Sequence, residues 1–296
     1  MPSATDSVAR VEGLSQEEFY RDFVTKCRPV VIQGLASGWR ALEWGADSFR
    51  GPQFAAPLPV KRGDIAAGRR ENVPLTDYAE SLEAYEARVR AGERPDSPGY
   101  MHDVPLFQVF PSLRDDVAPF PLHLLPKWYW RSWSAYAQYF MGPTGSVTPL
   151  HFDTLLTHNL FFHLTGRKRF ILIPAEQRAL CYPYRWRWAR FDPSAPDYDV
   201  FPRAADATPV SVVLEPGEIL YMPPGTLHHV TNLSPSMSFN IDWHTADSAL
   251  RGVASVGRGA PLMNGYYNLL CFLGVGLHVP AKYVLPLYRS YLSYVS

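Results

Sequence analysis

Residues 145–153 read Gly-Ser-Val-Thr-Pro-Leu-His-Phe-Asp. In an extended strand, side chains two apart share a face, so His151 and Asp153 present an imidazole and a carboxylate side by side. A second imidazole has to come from another part of the chain. Tyr221-Met-Pro-Pro-Gly-Thr-Leu-His228-His229-Val supplies two adjacent candidates, where a strand meets a Pro-Gly turn and re-enters the sheet. Neighbouring strand residues face opposite ways, so His228 and His229 do not both join one cluster in a regular strand. Two histidines and one carboxylate on one face of an octahedron form the facial triad of non-haem iron oxygenases, which leaves three coordination positions open. A closed four-ligand zinc site leaves none. A His-x-Asp pair alone is more often a surface or hydrogen-bonded pair. The flanking Thr148-Pro149, Asn159-Leu-Phe-Phe, Gly166-Arg-Lys168-Arg-Phe and Pro216-Gly217-Glu218 give this one its weight.

Such a set requires a scaffold that returns the chain to the same place. Short runs separated by Gly and Pro supply it: Tyr136–Met141, Val147–Phe152, Asn159–Leu164, Arg169–Ile173, Val210–Leu214, Ile219–Met222, His229–Thr231 and Met237–Trp243. Many short strands with such turns indicate an antiparallel barrel or sandwich. Residues 181–209, rich in Tyr, Trp, Arg, Asp and Pro, interrupt them, and connections of that length are usually lids or binding loops. Upstream, residues 14–50 read as helical, with Ser15 and Glu18 spaced as a capping box. Arg28-Pro29 ends that helix, and Val30-Val31-Ile32 reads as an edge strand. A second helix is expected over 75–94, closing at Gly92. The apolar tail, 261–296, reads as a helical pair packed on the barrel or on a second subunit. Its Asn264, Asn268, His278 and Pro280 argue against a membrane span.

The 296 residues suit one β-barrel domain with helical additions. Lys plus Arg equals Asp plus Glu at 28 each, which argues against a nucleic-acid partner held by bulk charge. A local basic cluster remains at Arg185, Trp186, Arg187, Trp188 and Arg190. Cys27, Cys181 and Cys271 are too few and too scattered for a disulfide framework, so a reduced cytoplasmic setting is expected. The first residues lack the apolar stretch of a secretory signal.

With these residues in view, the stretch from about 98 to 245 resembles the JmjC-like, cupin-fold oxygenases that depend on iron(II) and 2-oxoglutarate. That group includes the asparaginyl hydroxylase acting on hypoxia-inducible factor and its bacterial relatives. Pro29-Val-Val-Ile-Gln-Gly-Leu and Trp39 match how such proteins begin. The resemblance implies a mainly β fold, a double-stranded β-helix (jelly-roll) core with N-terminal and C-terminal helices. It divides the chain into 1–97, packing on the barrel; 98–248, the barrel with its loop 181–209; and 249–296, a helical tail expected to form a homodimer. It implies His151, Asp153 and His228 as iron ligands, with His229 the neighbouring candidate. It also implies Lys168, Thr148, Tyr100 and Asn240 around 2-oxoglutarate. Taken alone, Lys168 reads as a solvated turn lysine, and Thr148 and Asn240 as ordinary strand residues. The chain departs from the pattern at 154–158, longer than in close relatives. The implied reaction uses dioxygen and 2-oxoglutarate, releases succinate and carbon dioxide, and hydroxylates a C–H bond of an amino-acid side chain in a peptide, a protein or a related small molecule. A cupin enzyme without 2-oxoglutarate and a non-catalytic cupin binding module are the competing readings. Arg187, Arg190, Tyr184 and Trp186 stand as candidate substrate contacts.

Overall fold

The expected strands form, and a computed structural model describing residues 8–63, 65 and 69–288 gathers them into two sheets. They are β1 (Ala9–Glu12), β2 (Val30–Gln33), β3 (Pro57–Arg62), β4 (Arg69–Pro74), β5 (Tyr100–Val104), β6 (Ala137–Gly142), β7 (Val147–His151) and β8 (His158–Thr165), followed by β9 (Lys168–Ile173), β10 (Pro183–Tyr184), β11 (Trp188–Ala189), β12 (Val210–Leu214), β13 (Ile219–Met222), β14 (Leu227–Asn232) and β15 (Ser236–Trp243). The helices are α1 (Gln16–Phe19), α2 (Leu75–Arg90), α3 (Leu106–Val109), α4 (Ala246–Ala254), α5 (Leu262–Val275) and α6 (Ala281–Tyr288). The large sheet runs β1-β2-β13-β8-β15-β6-β5-β3-β4 and the small one β10-β11-β7-β14-β9-β12. Phe140 and Phe161 of the large sheet meet Phe170, Leu172, Val212 and Val230 of the small one in a shared core. This is the jelly-roll architecture the sequence predicts.

The central strands of the large sheet are buried on both faces. Along β15, Ser238, Asn240 and Asp242 turn toward the other sheet, while Met237, Phe239, Ile241 and Trp243 join a second core beneath the N-terminal segment and the helices. Trp39 stacks near Phe162 and Phe239 there, at ring separations of 5.7 and 6.1 Å. The N-terminal segment supplies strands to both ends of this sheet.

Two expectations change. The helical reading of 14–50 survives only at its start, where Ser15 and Glu18 do form a capping box on α1. A π-helical turn over Tyr20–Val24 follows, and residues 40–54 form short 3-10 turns. These turns place scattered aromatics, Trp39, Trp44, Phe49 and Phe54, in the core. The strand at 30–33 is not an edge. β1 pairs with it in parallel on one side and β13 antiparallel on the other. Solvent-facing Arg10 and Glu12 give β1 no apolar pattern by which to read it. Residues 289–296 of the expected helical tail lie outside the described residues.

Gly166 makes the β8–β9 turn that leads to Lys168. Its φ is +77°, and a Cβ there would sit 2.1 Å from the Pro235 carbonyl oxygen, which is backbone and cannot swing away. Gly166→Ala is therefore expected to destabilise the fold by about 2–4 kcal/mol, read as a lower midpoint in chemical denaturation. An unchanged midpoint would show that the turn has another conformation.

Candidate metal centre

The site forms between the sheets, where β7 and β14 pair with His151 opposite His228. The ring centroids of the two imidazoles lie 4.2 Å apart, and His228 Nε2 lies 3.8 Å from Asp153 Oδ1. One donor atom from each of His151, Asp153 and His228 falls within 4.8 Å of the other two, and among the described residues no fourth His, Cys, Asp or Glu joins the group. Each imidazole is oriented from behind. His151 Nδ1–H donates to the Pro149 carbonyl at 2.7 Å, and His228 Nδ1–H to the Thr226 carbonyl at 3.1 Å. A carbonyl only accepts, so both Nε2 atoms keep their lone pairs for a metal. Burial, and for His151 also the neighbouring His228, pushes both pKa values down, which keeps the rings in the neutral form a metal requires. This donor set fits a facial iron(II) site with open positions. His229 points away, its Nε2 lying 3.6 Å from Asp192 Oδ1.

A buried amide network holds the carboxylate. Asn159 Nδ2 donates to Asp153 Oδ2 at 3.1 Å and to Asp242 Oδ1 at 2.9 Å. Gln138 and Asn240 also donate to Asp242, at 3.2 and 3.3 Å. Asp153 Oδ2 is thus engaged, which leaves Oδ1 facing His228. Asn159 takes up this position even though residues 154–158 lengthen the approach to it. Of the residues sequence reasoning passed over, Asp242 was readable: Asn240-Ile-Asp242 repeats the two-residue spacing of His151-Phe-Asp153, and so shares a face. His102 stands in the same relation to Tyr100.

Behind the metal set the pocket closes on Lys168, which is fully buried. Its Nζ donates to Tyr100 Oη and Ser238 Oγ, each at 3.1 Å, and sits 5.2 to 5.7 Å from the rings of Phe161, Phe140 and Tyr100. Among the described residues no carboxylate pairs with it. Burial lowers its pKa from 10.5 to about 7, a penalty on the charged form on the order of 5 kcal/mol. An incoming carboxylate would offset it. Thr148 lines the same space and lies 3.4 Å from His102 Nε2. His102 in turn sits 2.8 Å from the Asp103 carboxylate. Burial drives the His102 pKa down to about 4. For Asp103 burial acts upward, but His102, Lys61 and Arg187 outweigh it and hold the carboxylate at about 2.

The long insertion is not a free loop. β10 and β11 form a small hairpin, Trp188 pairs with His151, and Phe152 N donates to the Arg187 carbonyl at 3.1 Å. Arg187 lines the metal pocket and lies over the Trp188 ring at 4.8 Å. Arg190 stacks on Tyr184 at 5.6 Å, and Trp186 Nε1 donates to the Thr154 carbonyl at 2.8 Å. His158 and His163 belong to the scaffold: His158 hydrogen-bonds Tyr221 Oη at 2.8 Å and His163 Nε2–H donates to the Gly166 carbonyl at 2.9 Å.

Comparison with known proteins identifies the family. The profile of the cupin-like domain family matches residues 15–249, and the chain belongs to that family, in its JmjC branch. The 2-oxoglutarate and iron-dependent oxygenase JMJD4 of Gallus gallus is 29% identical over 261 residues, covering 80% of this chain and 60% of its own length. The lysine-specific demethylase JMJ30 of Arabidopsis thaliana is 30% identical over 256 residues, covering 82% and 57%. The Jumonji C domain-containing protein 5 of Drosophila melanogaster is 27% identical over 246 residues, covering 80% and 59%. The chain therefore spans about three-fifths of the length of these relatives.

His151→Ala is expected to abolish retention of iron(II), measured by metal content after gel filtration. Lys168→Met should keep the metal and lose 2-oxoglutarate binding by calorimetry. Ligand-free Lys168 sheds its proton near pH 7, whereas pairing requires the ammonium. Affinity for 2-oxoglutarate should therefore be greatest below that pH and fall about tenfold per pH unit above it. A flat profile from pH 6 to 9 would count against Lys168 as the carboxylate partner.

Proposed function

We propose that the protein is an iron(II)- and 2-oxoglutarate-dependent oxygenase that hydroxylates a C–H bond of an amino-acid side chain in a peptide or protein, in a cytoplasmic setting. The observation that carries this reading is the pairing of a three-donor cluster with a buried, acid-free lysine at the closed end of one pocket. Bound there, iron(II) with 2-oxoglutarate and dioxygen would supply oxidative decarboxylation to succinate and carbon dioxide, and the oxidising power for the hydroxylation. Lys168 and Tyr100 hold the distal carboxylate of the keto acid, with Thr148 and Asn240 as further polar contacts along the pocket. Phe140, Phe161 and Phe170 keep water from that end, which strengthens the ion pair. His151, Asp153 and His228 fix the metal, and Asn159 with Asp242 fixes the carboxylate's orientation.

Turnover of 2-oxoglutarate to succinate by the full chain, with iron(II) and ascorbate and a panel of peptides, tests the proposal. The expected result is peptide-stimulated succinate that His151→Ala eliminates. Metal retained with no 2-oxoglutarate binding would instead favour a cupin enzyme of the other kind. Neither metal nor 2-oxoglutarate binding would favour a binding module.

The C-terminal helices support a homodimer. α5 buries Tyr267, Leu270, Cys271 and Gly274 but leaves Leu262, Tyr266 and Leu269 exposed on its other side, and Leu277, Tyr283 and Leu287 continue the exposed apolar surface. Between residues 259 and 288 only Lys282 among Asp, Glu, Lys and Arg interrupts it. An exposed apolar face carrying a single lysine fits a second copy of itself. Truncation is a poor test, because Asn264 of α5 donates to the Thr154 carbonyl beside the site at 2.7 Å. Light scattering should give twice the chain mass for the wild type and a single chain mass for Leu269→Glu. A monomeric wild type would dismiss the dimer.

A further inference from the structure

Beside the metal pocket lies a second cavity of about 370 Å³ that the oxygenase chemistry leaves unused. Phe152, the residue between His151 and Asp153, and Trp186 of the insertion form an aromatic wall, and three arginines from two segments line the cavity: Arg178, and Arg251 with Arg258. The Arg178 guanidinium lies 4.5 Å from the Phe152 ring centroid and 4.9 Å from that of Trp186, and it donates to the Trp186 carbonyl. Two aromatic faces and a carbonyl thus fix its orientation before any ligand arrives. Neither Arg178 nor Arg258 forms an ion pair with a described carboxylate. Arg251 pairs with Asp247 on the exposed surface of α4, a contact that solvent weakens. Glu176 is the carboxylate among the lining residues. Burial lowers the pKa of Arg178. A planar guanidinium fixed this way, with two more lining the same cavity, suits the two oxygens of a carboxylate.

We propose that this cavity anchors the substrate polypeptide by an acidic side chain lying a few residues from the one that enters the metal pocket. The placement rests on the oxygenase reading, because Phe152 and Trp186, which wall the cavity, alternate along the chain with His151, Asp153 and Arg187 of the metal pocket. The anchor would select sequence context, while the metal pocket selects the residue to be modified.

The test is fluorescence anisotropy of the full chain, held with iron(II) and 2-oxoglutarate under nitrogen. The probe is a fluorescein-labelled octapeptide of alternating Glu and Gly, compared with its Gln and phosphoserine counterparts. Expected are binding of the Glu peptide that weakens with added salt, little binding of the Gln peptide, and a loss of about fivefold on Arg258→Glu and again on Arg251→Glu. Both are surface residues whose reversal leaves the core intact. Arg69→Glu, on the outer face of distant β4, should change affinity less than twofold. Equal binding of the Gln peptide, or indifference to both reversals, would overturn the proposal. Binding of the phosphoserine peptide more than tenfold tighter than the Glu peptide would also overturn it, by assigning the cavity to phosphate. The readout needs no turnover, and His151→Ala should bind the Glu peptide as the wild type does. A failed anchor and a failed oxygenase reading are therefore told apart.

Discussion

The structure turns on one strand pairing, β7 against β14, which sets His151 opposite His228. A slip of one residue would carry His229 into the site in place of His228 and reverse every side chain along β14. Several features hold the register. Val230 and Leu227 must stay in their separate cores. β14 is clasped on its other side by six consecutive pairs with β9. The pairing shifts between His228 and Val230, an irregularity of the kind that re-aims side chains beside active sites. With the register fixed, the carbonyls of Pro149 and Thr226 need only orient two rings that the sheet has already brought together.

The pocket built on that pairing separates charge along its length. At its closed end Lys168 meets hydroxyls and aromatic rings, and near the three-donor cluster Asp242 gathers three amide donors around a buried carboxylate. The two are solvated differently. The carboxylate is saturated by the protein itself, whereas the ammonium has two neutral acceptors and an environment that disfavours its charge. The first arrangement is complete as it stands and serves to hold Asp153. The second would improve if an anion arrived beside the ammonium, which is the physical ground for proposing that a carboxylate binds there.

Much of this was legible in the sequence, for reasons that differ from residue to residue. The strands of 136–243 alternate or run apolar because one or both faces are buried, and the expected segments match the observed ones within a residue or two. β1 and β4 were silent: their residues are mostly exposed and carry no alternation. The helical reading of 14–50 failed past α1 because its apolar residues are packed from irregular turns, which imitate helical spacing over short stretches. At the site, the spacing of His151 and Asp153 predicts their shared face from strand geometry alone. The choice between His228 and His229 depended on the resemblance, since adjacent histidines carry no signal of phase. The burial of Lys168 ran against its sequence neighbourhood of Gly and Arg. Asp103, held at φ +59° where the β5–β6 register breaks, had no spacing signal at all.

β15 has a consequence for how proteins of this kind diversify. One side of the strand faces the pocket with Ser238, Asn240 and Asp242, and the other is cemented into an aromatic interior with Phe239, Ile241 and Trp243. Alternate positions of a single segment thus answer to different selective demands. Exchanges of Ser238 or Asn240 would alter what the pocket holds, whereas a change of size at Phe239, Ile241 or Trp243 would open a void or overfill the interior. A single substitution on such a strand therefore acts either on the pocket or on the scaffold, according to whether its position is even or odd.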